Sequence, residues 1–442
     1  MVLPSTHHHA LPADDPLRLE LHNEVHARPT ARVRLPVLII YVAVFNEGVS
    51  REQECAHLKN LPGQSDLTLE QLHGNFLRLR LEGCTLKWER HTEFTRYSIV
   101  QPLPETAALG ACDPELLPHS VLPTDWLAGI PGRTLAAVKL VMLHGDLAVP
   151  DTSLEQARTW MGEHTVVASL MGNQGHSMVV TDFMLRPTGF ERMLVVAPPG
   201  TTETRAGRIS QRLLEVETYR LMALRGLPVA KQLGGFLAES ERQLAEITAR
   251  LENKSTSDQA LLDTLVALAA GVERVTAENS YRFAATRAYD ALVGQRIAEL
   301  RERPIPGTQT IGEFMQRRLS PAMATVAASE QRLASLSERV SRASALLRTR
   351  VDIATEVQNQ ELLAKLTRGQ DLQLRLQSTV EGLSIAAISY YVVSLLLYVG
   401  KAGKAAGLPI NPEMAVGALI PLVLWAVWRT TKRIHDKLHA DH

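Results

Sequence analysis

The fold of this chain is decided by an uncharged run near its C-terminal end, LSIAAISYYVVSLLLYV, residues 383–399. A second run, MAVGALIPLVLWAVW, occupies residues 414–428. Each is slightly shorter than the roughly 20 apolar residues that cross a bilayer core, and flanking residues can extend both. Two buried helices of a soluble protein are the alternative. Aromatic residues at the ends of the runs (Tyr398, Trp425 and Trp428) and the basic segment RTTKRIHDK after the second favour a transmembrane hairpin.

The basic residues around the hairpin predict its orientation. Three precede the first run and four follow the second, whereas the connecting loop holds Lys401 and Lys404; the seven outer ones are Lys365, Arg368, Arg375, Arg429, Lys432, Arg433 and Lys437. Basic residues stay on the cytoplasmic side of a membrane. We therefore expect a membrane protein with both termini in the cytoplasm and a bilayer as partner.

Hydroxyl side chains follow one stripe of the first run. At 100° per residue, Ser384, Tyr391, Ser394 and Tyr398 fall within about a third of the helix circumference. If several copies surrounded an axis, these side chains would be candidates for lining a pore. Hydrogen bonds between packed helices are the alternative interpretation of the same pattern.

Upstream of the hairpin, the sequence predicts one very long helix. No proline occurs between Pro321 and Pro409, and a helix over 322–399 would be about 117 Å long. Leucine, valine and alanine recur at heptad positions from Leu333 to Ala364. This spacing is typical of helix-on-helix packing, and it predicts a stalk, a coiled coil, or both.

The first half of the chain has a different period. The run LPVLIIYVAVF, 35–45, is continuously apolar and β-branched, which predicts a buried strand. The segments NFLRLRLEG, 75–83, and TLKWERHTEFTRYSIV, 85–100, alternate with period two and predict two neighbouring strands. Four further strands are predicted over 134–145, 164–172, 176–186 and 191–198, the last three as hairpins. The class is therefore an α+β cytosolic domain followed by long stalk helices and a C-terminal two-helix transmembrane hairpin.

Composition excludes several classes. Lys plus Arg and Asp plus Glu number 47 each, so no excess charge predicts a nucleic-acid partner. The three cysteines (Cys55, Cys84 and Cys112) are odd in number and widely spaced, which predicts reduced thiols rather than disulfides or a zinc ribbon. The first residues carry no basic stretch followed by an apolar run, so no signal peptide is expected.

Three motifs carry a family resemblance. LHNEVHARP (21–29), LKWERHTEF (86–94) and EGLSIAAISYYVVSLL (381–396) resemble the hallmarks of a bacterial domain-of-unknown-function family of membrane-anchored proteins. The order of parts is also similar to the CorA-type magnesium channels, a likeness that implies five copies with the first span around a pore. The Gly-Met-Asn signature of those channels is absent, since this chain has Tyr398-Val399-Gly400-Lys401. The loop lysines would repel a cation.

The alternating stretch at 86–94 is the candidate site. Glu89, His91 and Glu93 would project from the same side of an extended strand. The NEVHARP motif supplies three further candidates for the same site: Glu24, His26 and Arg28. A salt-bridged network with Arg90, a ligand or divalent-cation site, and a catalytic site all remain open. No nucleophile with an adjacent base and no phosphate loop is evident, so we predict no enzyme and no certain cofactor.

These observations divide the chain into six segments: an N-terminal segment with the NEVHARP motif (1–29), the α+β domain (30–200), a helical domain (201–320), the stalk (321–382), the hairpin (383–428) and a basic tail (429–442). The expected function is an oligomeric CorA-like ion channel or transporter gated by its cytosolic domain. A membrane-anchored scaffold or ligand-sensing regulator without a pore is the alternative.

Overall fold

The computed structural model describes residues 15–18, 21, 32–117, 122–162, 164–252, 258–406 and 411–440. The NEVHARP motif, with Glu24, His26 and Arg28, lies outside these residues. The chain forms two compact units. The first comprises residues 1–253 and 264–342, and the second comprises residues 254–263 and 343–442.

The first unit is built on one sheet, which has nine strands in the described part of the chain. Their order is β2-β3-β4-β1-β5-β8-β7-β6-β9. All neighbours are antiparallel except β5 and β8. The strands are β1 Val37–Phe45, β2 Phe76–Leu81, β3 Cys84–Arg90, β4 Phe94–Pro102, β5 Arg133–His144, β6 Val167–Met171, β7 Ser177–Thr181, β8 Glu191–Ala197 and β9 Arg303–Pro304.

Helices on both faces explain why β1 is apolar throughout. Ile39 and Tyr41 pack in the core beneath helix α4 (Glu203–Leu224). Leu38 packs in a separate core with α3 (Pro150–Met161), and Val42 in a third with α1 (Arg51–Lys59) and α2 (Thr124–Ala128). A strand covered on both faces has no wet side, and its sequence therefore does not alternate.

The prediction of one strand over 85–100 is wrong, because the segment folds into a hairpin. β3 ends at Arg90 and β4 begins at Phe94, with Glu89 directly opposite Arg96. Asn46 holds the turn between them. Its side-chain amide donates to the carbonyl oxygen of His91 at 2.8 Å, and its backbone N–H donates to that of Glu93 at 3.2 Å. β7 is also shorter than predicted, since Phe183 adopts a φ of 51° that leaves the extended region.

Five helices follow α4 in the described part of the chain: α5 Gly226–Glu252, α6 Asp258–Leu300, α7 Ile311–Arg318, α8 Ser320–Ala405 and α9 Pro412–Ala440. Ion pairs join the start of α8 to two of them. Arg332 of α8 binds Glu241 of α5 at 2.8 Å, and Glu330 of α8 binds Arg287 of α6. The chain beyond residue 200 is thus almost entirely helical, as its period predicts.

The predicted heptad seam of α8 changes character along its length. Its first positions, Leu333, Leu336, Val340, Ala343 and Leu347, are buried. From residue 352 to residue 380 every residue of α8 is exposed, including the seam positions Ala354, Val357 and Ala364. No described segment of the chain covers this stretch of the helix.

Within the described residues, two helical segments are long and apolar enough to cross a membrane: one in α8 and the other at Pro412–Arg433 in α9. Only 6% of the most apolar 18-residue stretch is buried in the first segment, and 11% in the second. Core helices of a soluble protein are mostly buried, so these two segments expose apolar surface that a soluble fold would cover.

Candidate functional site

A cavity of about 70 Å³ lies between the sheet and α4 in the first unit. Side chains from β1 to β4 form its floor, because alternate residues of a strand face the same side. Ile39, Tyr41, Val100 and Leu214 supply apolar wall. The polar lining comes from Arg32, Arg78, Thr85, Lys87, Glu89, Arg96, Ser98, Ser210 and Gln211.

The cavity is bordered by a buried charge cluster, defined here as Lys87, Glu89, Arg96, Glu215 and Arg296. Glu89 binds Arg96 at 2.5 Å and Lys87 at 3.1 Å. Arg96 also binds Glu215 at 3.2 Å, and Arg296 binds the other oxygen of Glu215 at 2.5 Å. Arg296 also binds Glu299 at 3.0 Å, so the three cations contact three carboxylates, and Lys87 is the cation whose one ion pair among the described residues is with Glu89.

Burial and charge pairing set the pKa values in this cluster. Burial alone would raise the pKa of Glu89, but Arg96 and then Lys87 lower it to about 2. Burial lowers the pKa of Lys87, and Glu89 opposes that shift. Burial is also the main cause of the raised pKa of the Tyr41 hydroxyl, which hydrogen-bonds Thr218 at 2.7 Å. Glu89 is therefore a firmly ionised carboxylate at neutral pH.

The structure separates the three predicted site residues. Glu89 is only 1% exposed and faces the cavity, whereas His91 and Glu93 lie in the turn after β3. The ring of His91 stacks on Phe94, and Glu93 binds Arg282 of α6 at 2.8 Å. The expectation that all three project from one strand face is wrong, because the strand ends at Arg90. Glu24, His26 and Arg28 lie outside the described residues.

The contacts of Glu89 are those of a salt-bridged network, with partners other than Arg90. Arg90 instead binds Glu54 at 2.6 Å and the carbonyl oxygen of Val49 at 2.8 Å. Among the described residues, no group of three His, Cys, Asp or Glu side chains is placed to hold a metal ion.

A wide groove of about 850 Å³ adjoins the cavity. Arg32, Arg78, Thr85 and Val100 line both, so the groove is the mouth of the cavity. Four arginines and two carboxylates line the groove: Arg32, Arg34, Arg78, Arg80, Glu105 and Glu203. None of the four arginines forms an ion pair with another residue that the structure describes. Their unpaired guanidinium groups make this region a candidate anion-binding surface.

The arginine groove was missed in the sequence, although a signal exists. In FLRLRL, Arg78 and Arg80 alternate with buried or half-buried leucines, and Arg32 and Arg34 have the same spacing. Period two places each pair on one side of its segment. Nothing in the sequence shows that the two pairs meet.

The predicted pore-lining residues all lie in α8. Ser384, Tyr391 and Tyr398 are exposed, and Ser394 is half-buried. Ser389, which was not predicted to face a pore, is the buried hydroxyl in this part of the helix, at 4% exposure. The predicted stripe is therefore left mostly uncovered by the chain itself.

A family model described as "Protein of unknown function (DUF3422)" fits residues 13–438. No curated protein matches the chain.

Proposed function

This chain belongs to the DUF3422 family of proteins of unknown function, and we propose that it is a membrane-anchored regulator that senses a small organic anion. The ligand site is the cavity of about 70 Å³ beneath α4, entered through the arginine groove. The observation that carries the proposal is the buried Lys87 ammonium at the cavity wall, whose one ion pair among the described residues is with Glu89. The role assigned to the site is binding and not catalysis.

An incoming carboxylate would give the Lys87 ammonium a second anionic partner. Lys87 has three N–H donors, and its recorded ion pair is with Glu89 alone. The side chain is 10% exposed and lines the cavity, so its remaining donors have little access to water. A buried cation is costly unless it is paired. A carboxylate bound beside Lys87 would accept hydrogen bonds from these donors.

The rest of the ligand follows from the walls of the cavity. Ile39, Val100 and Leu214 are aliphatic, and the Phe76 ring lies 5.5 Å from the Lys87 ammonium. An alkyl chain attached to the carboxylate would fill this apolar space, and each buried methylene contributes about 0.8 kcal/mol. Arg32 and Arg78 at the mouth would attract the anion from solution.

Titration calorimetry on the full-length protein in detergent tests this proposal, with n-alkanoates from acetate to butanoate as probes. We expect saturable binding that strengthens with chain length, and no binding of the matching alcohols. Lys87→Met keeps an unbranched side chain that is one atom shorter and removes its charge, so it should abolish the heat. Exposed Arg318→Ala, on α7, is the matched control. Failure of every alkanoate to bind, or unchanged binding by Lys87→Met, would overturn the proposal.

The anchor in this proposal is a hairpin formed by the apolar runs of α8 and α9 in the inner membrane, with both termini in the cytoplasm. Support comes from the low burial of both segments and from the rings and cations near the end of the second. Arg429 lies 4.8 Å from the Trp425 ring and Lys432 lies 5.2 Å from that of Trp428. Such pairs suit the headgroup region of a bilayer. α8 would carry the state of the ligand site toward the hairpin.

A CorA-like oligomeric channel is the second candidate, and the exposed stretch of α8 favours it. Leu362, Leu366, Leu376 and Val380 are each more than half exposed. At 100° per residue they fall within about 80° of the helix circumference. A second copy of this chain, packed along that stripe, would cover them and bring the first spans around a common axis.

The channel candidate makes its own demands. A pentamer would place Ser384, Tyr391, Ser394 and Tyr398 around its axis, and purified protein in liposomes would conduct ions. No magnesium preference is expected, because the loop carries Lys401 and Lys404 in place of the magnesium signature. A monomeric particle in native mass spectrometry would exclude the channel and leave the regulator.

A further inference from the structure

We infer that a second cavity, of about 280 Å³ at the start of α4, binds a phosphate-bearing ligand. Three elements of the first unit build it. α4 supplies Arg205, Arg208, Ile209 and Arg212; the end of α6 and the residue after it supply Glu299, Leu300 and Arg301; and the β6–β7 connection supplies Gly172, Asn173 and His176. This cavity shares no lining residue with the alkanoate site.

Charge distinguishes this cavity from ordinary surface. Four arginines face one carboxylate, that of Glu299. Arg212 already binds Glu299. The Arg212 guanidinium donates to the Glu299 carboxylate at 3.0 Å and to the backbone carbonyl oxygen of Glu299 at 3.2 Å. Arg205 and Arg208 have no recorded ion pair with any described residue. Three arginines around this concavity, Arg205, Arg208 and Arg301, therefore have no carboxylate partner among the residues that the structure describes.

Helix geometry brings the three α4 arginines together. Arg205, Arg208 and Arg212 are spaced by three and four residues, which places them on one face. Arg205 stands in the first turn, where the helix dipole adds partial positive charge. Like charges at this spacing repel one another unless an anion lies between them. The arrangement costs stability in the empty protein and is relieved by a bound polyanion.

The opposite wall is fixed rather than loose. The N–H of Gly172 donates to the carbonyl oxygen of Leu300 at 2.8 Å, and the Arg301 guanidinium donates to Asn173 Oδ1 at 2.5 Å. Arg301 has a φ of 50° and Gln174 a φ of 63°, which non-glycine residues seldom adopt. Such backbone clusters at ligand sites. His176, 2.8 Å from Ser177 Oγ, adds a further polar group to this wall.

Phosphate fits these walls better than a simple carboxylate does. One guanidinium group can donate two parallel hydrogen bonds to a phosphate, and several arginines around one cavity can share the three terminal oxygens of that phosphate. The cavity is four times the size of the first one, so it has room for a phosphate with a substituent. A soluble phosphate compound and a phospholipid headgroup share this chemistry.

Pyrophosphate is the probe for the soluble arm of the test. Calorimetry would use full-length protein in phosphatidylcholine nanodiscs at low salt. We expect saturable binding in the wild type, a loss of at least about tenfold in affinity for both Arg205→Ala and Arg208→Ala, and no change for Arg318→Ala. Circular dichroism melting curves would show that the variants fold. Unchanged affinity in both arginine variants would overturn the inference.

The lipid arm repeats the titration in nanodiscs that also contain phosphatidic acid. Loss of the pyrophosphate signal only in these discs would identify a lipid headgroup as the occupant. An equal signal in both would identify a soluble ligand. If neither pyrophosphate nor phosphatidic acid engages Arg205 and Arg208, no phosphate site exists there. Alkanoate binding depends on Lys87, so the two proposals fail independently.

Discussion

Glu89 and Arg96 lie directly opposite one another on β3 and β4, and the Arg96 Nε donates to Glu89 Oε2 at 2.5 Å. The same guanidinium donates to Glu215 of α4 at 3.2 Å. One arginine therefore fastens a β-hairpin to the helix above it. Both side chains are almost fully buried, so neither can exchange its partner for water.

Substitution of Glu89 should be costly. Glu89→Gln leaves Arg96 and Lys87 with one carboxylate fewer in a buried place, and we expect it to destabilise the first unit by about 3 kcal/mol. Thermal unfolding followed by circular dichroism measures this. Glu105→Gln, in the exposed groove, is the control and should stay within about 0.5 kcal/mol of wild type. Equal melting temperatures for both variants would contradict the structural role of the pair.

Acid should weaken the same contact. The pKa of Glu89 falls from 4.5 to about 2 on folding, so the folded state binds fewer protons than the unfolded state between these values. The stabilisation is complete above pH 4.5 and is lost as the pH falls toward 2. Melting temperatures of wild type and Glu89→Gln should therefore converge through this window. A gap that stays constant to pH 2 would refute the assignment.

The Glu191 carboxyl predicts the opposite pH dependence. Burial and the neighbouring Glu217 raise its pKa from 4.5 to about 8, so the folded state holds a proton that the unfolded state releases. Its stability contribution is complete below pH 4.5 and declines as the pH rises through 8. Glu191→Gln mimics the protonated form. Its melting temperature should fall less than that of wild type between pH 5 and pH 8, and parallel curves would disprove the shift.

Self-association is predicted by the exposed apolar side chains on one face of α8: Leu362, Leu366, Leu376 and Val380. Leu366→Glu combined with Leu376→Glu places charges among the side chains that a second copy would cover. We expect native mass spectrometry of the detergent-solubilised protein to show the mass of one chain for this variant and a multiple of it for wild type. Asp371→Asn, on the opposite side of the helix, should leave the oligomer intact. A wild-type monomer would rule out the stripe as an interface.

The orientation of the hairpin can be tested with thiol labelling. In a Cys112→Ser background, Ala406→Cys marks the loop and Thr430→Cys marks the part of α9 that follows its apolar run. The remaining thiols, Cys55 and Cys84, are buried. A membrane-impermeant maleimide should label Ala406→Cys in intact spheroplasts and reach Thr430→Cys only after lysis. The reverse pattern would invert the topology, and full labelling of both before lysis would argue against a hairpin.

The sequence predicts the elements better than it predicts their meeting points. β1 and the strands from 134 to 198 follow from local apolar patterns, and so does the long run of helix. The turn at His91 could not be predicted locally, since residues 91–93 include no glycine, proline or asparagine. Asn46, which lies far away in the chain, decides it. The two arginine pairs of the groove likewise converge only because the fold places β2 and the segment that precedes β1 around one groove.

The partners of Glu89 were hidden for a related reason. A buried carboxylate needs a cation, and Arg90 was the nearest candidate along the chain. Strand pairing instead selects Arg96, through a register that begins with the turn. Arg96 in turn binds Glu215, which binds Arg296. Glu215 and Arg296 lie on helices more than a hundred residues away from Glu89 in the chain. Long-range charge matching of this kind leaves no periodic trace in the sequence.

The continuity of α8 constrains how this protein can change its length during evolution. Between Leu347, which is buried, and Ser384 the helix has no break. A single inserted residue would rotate everything downstream by about 100° and turn Ser384 away from its present bearing. An insertion of seven residues would restore that bearing to within about 20°. Natural length variation in this part of the helix should therefore occur in steps that preserve its angular phase.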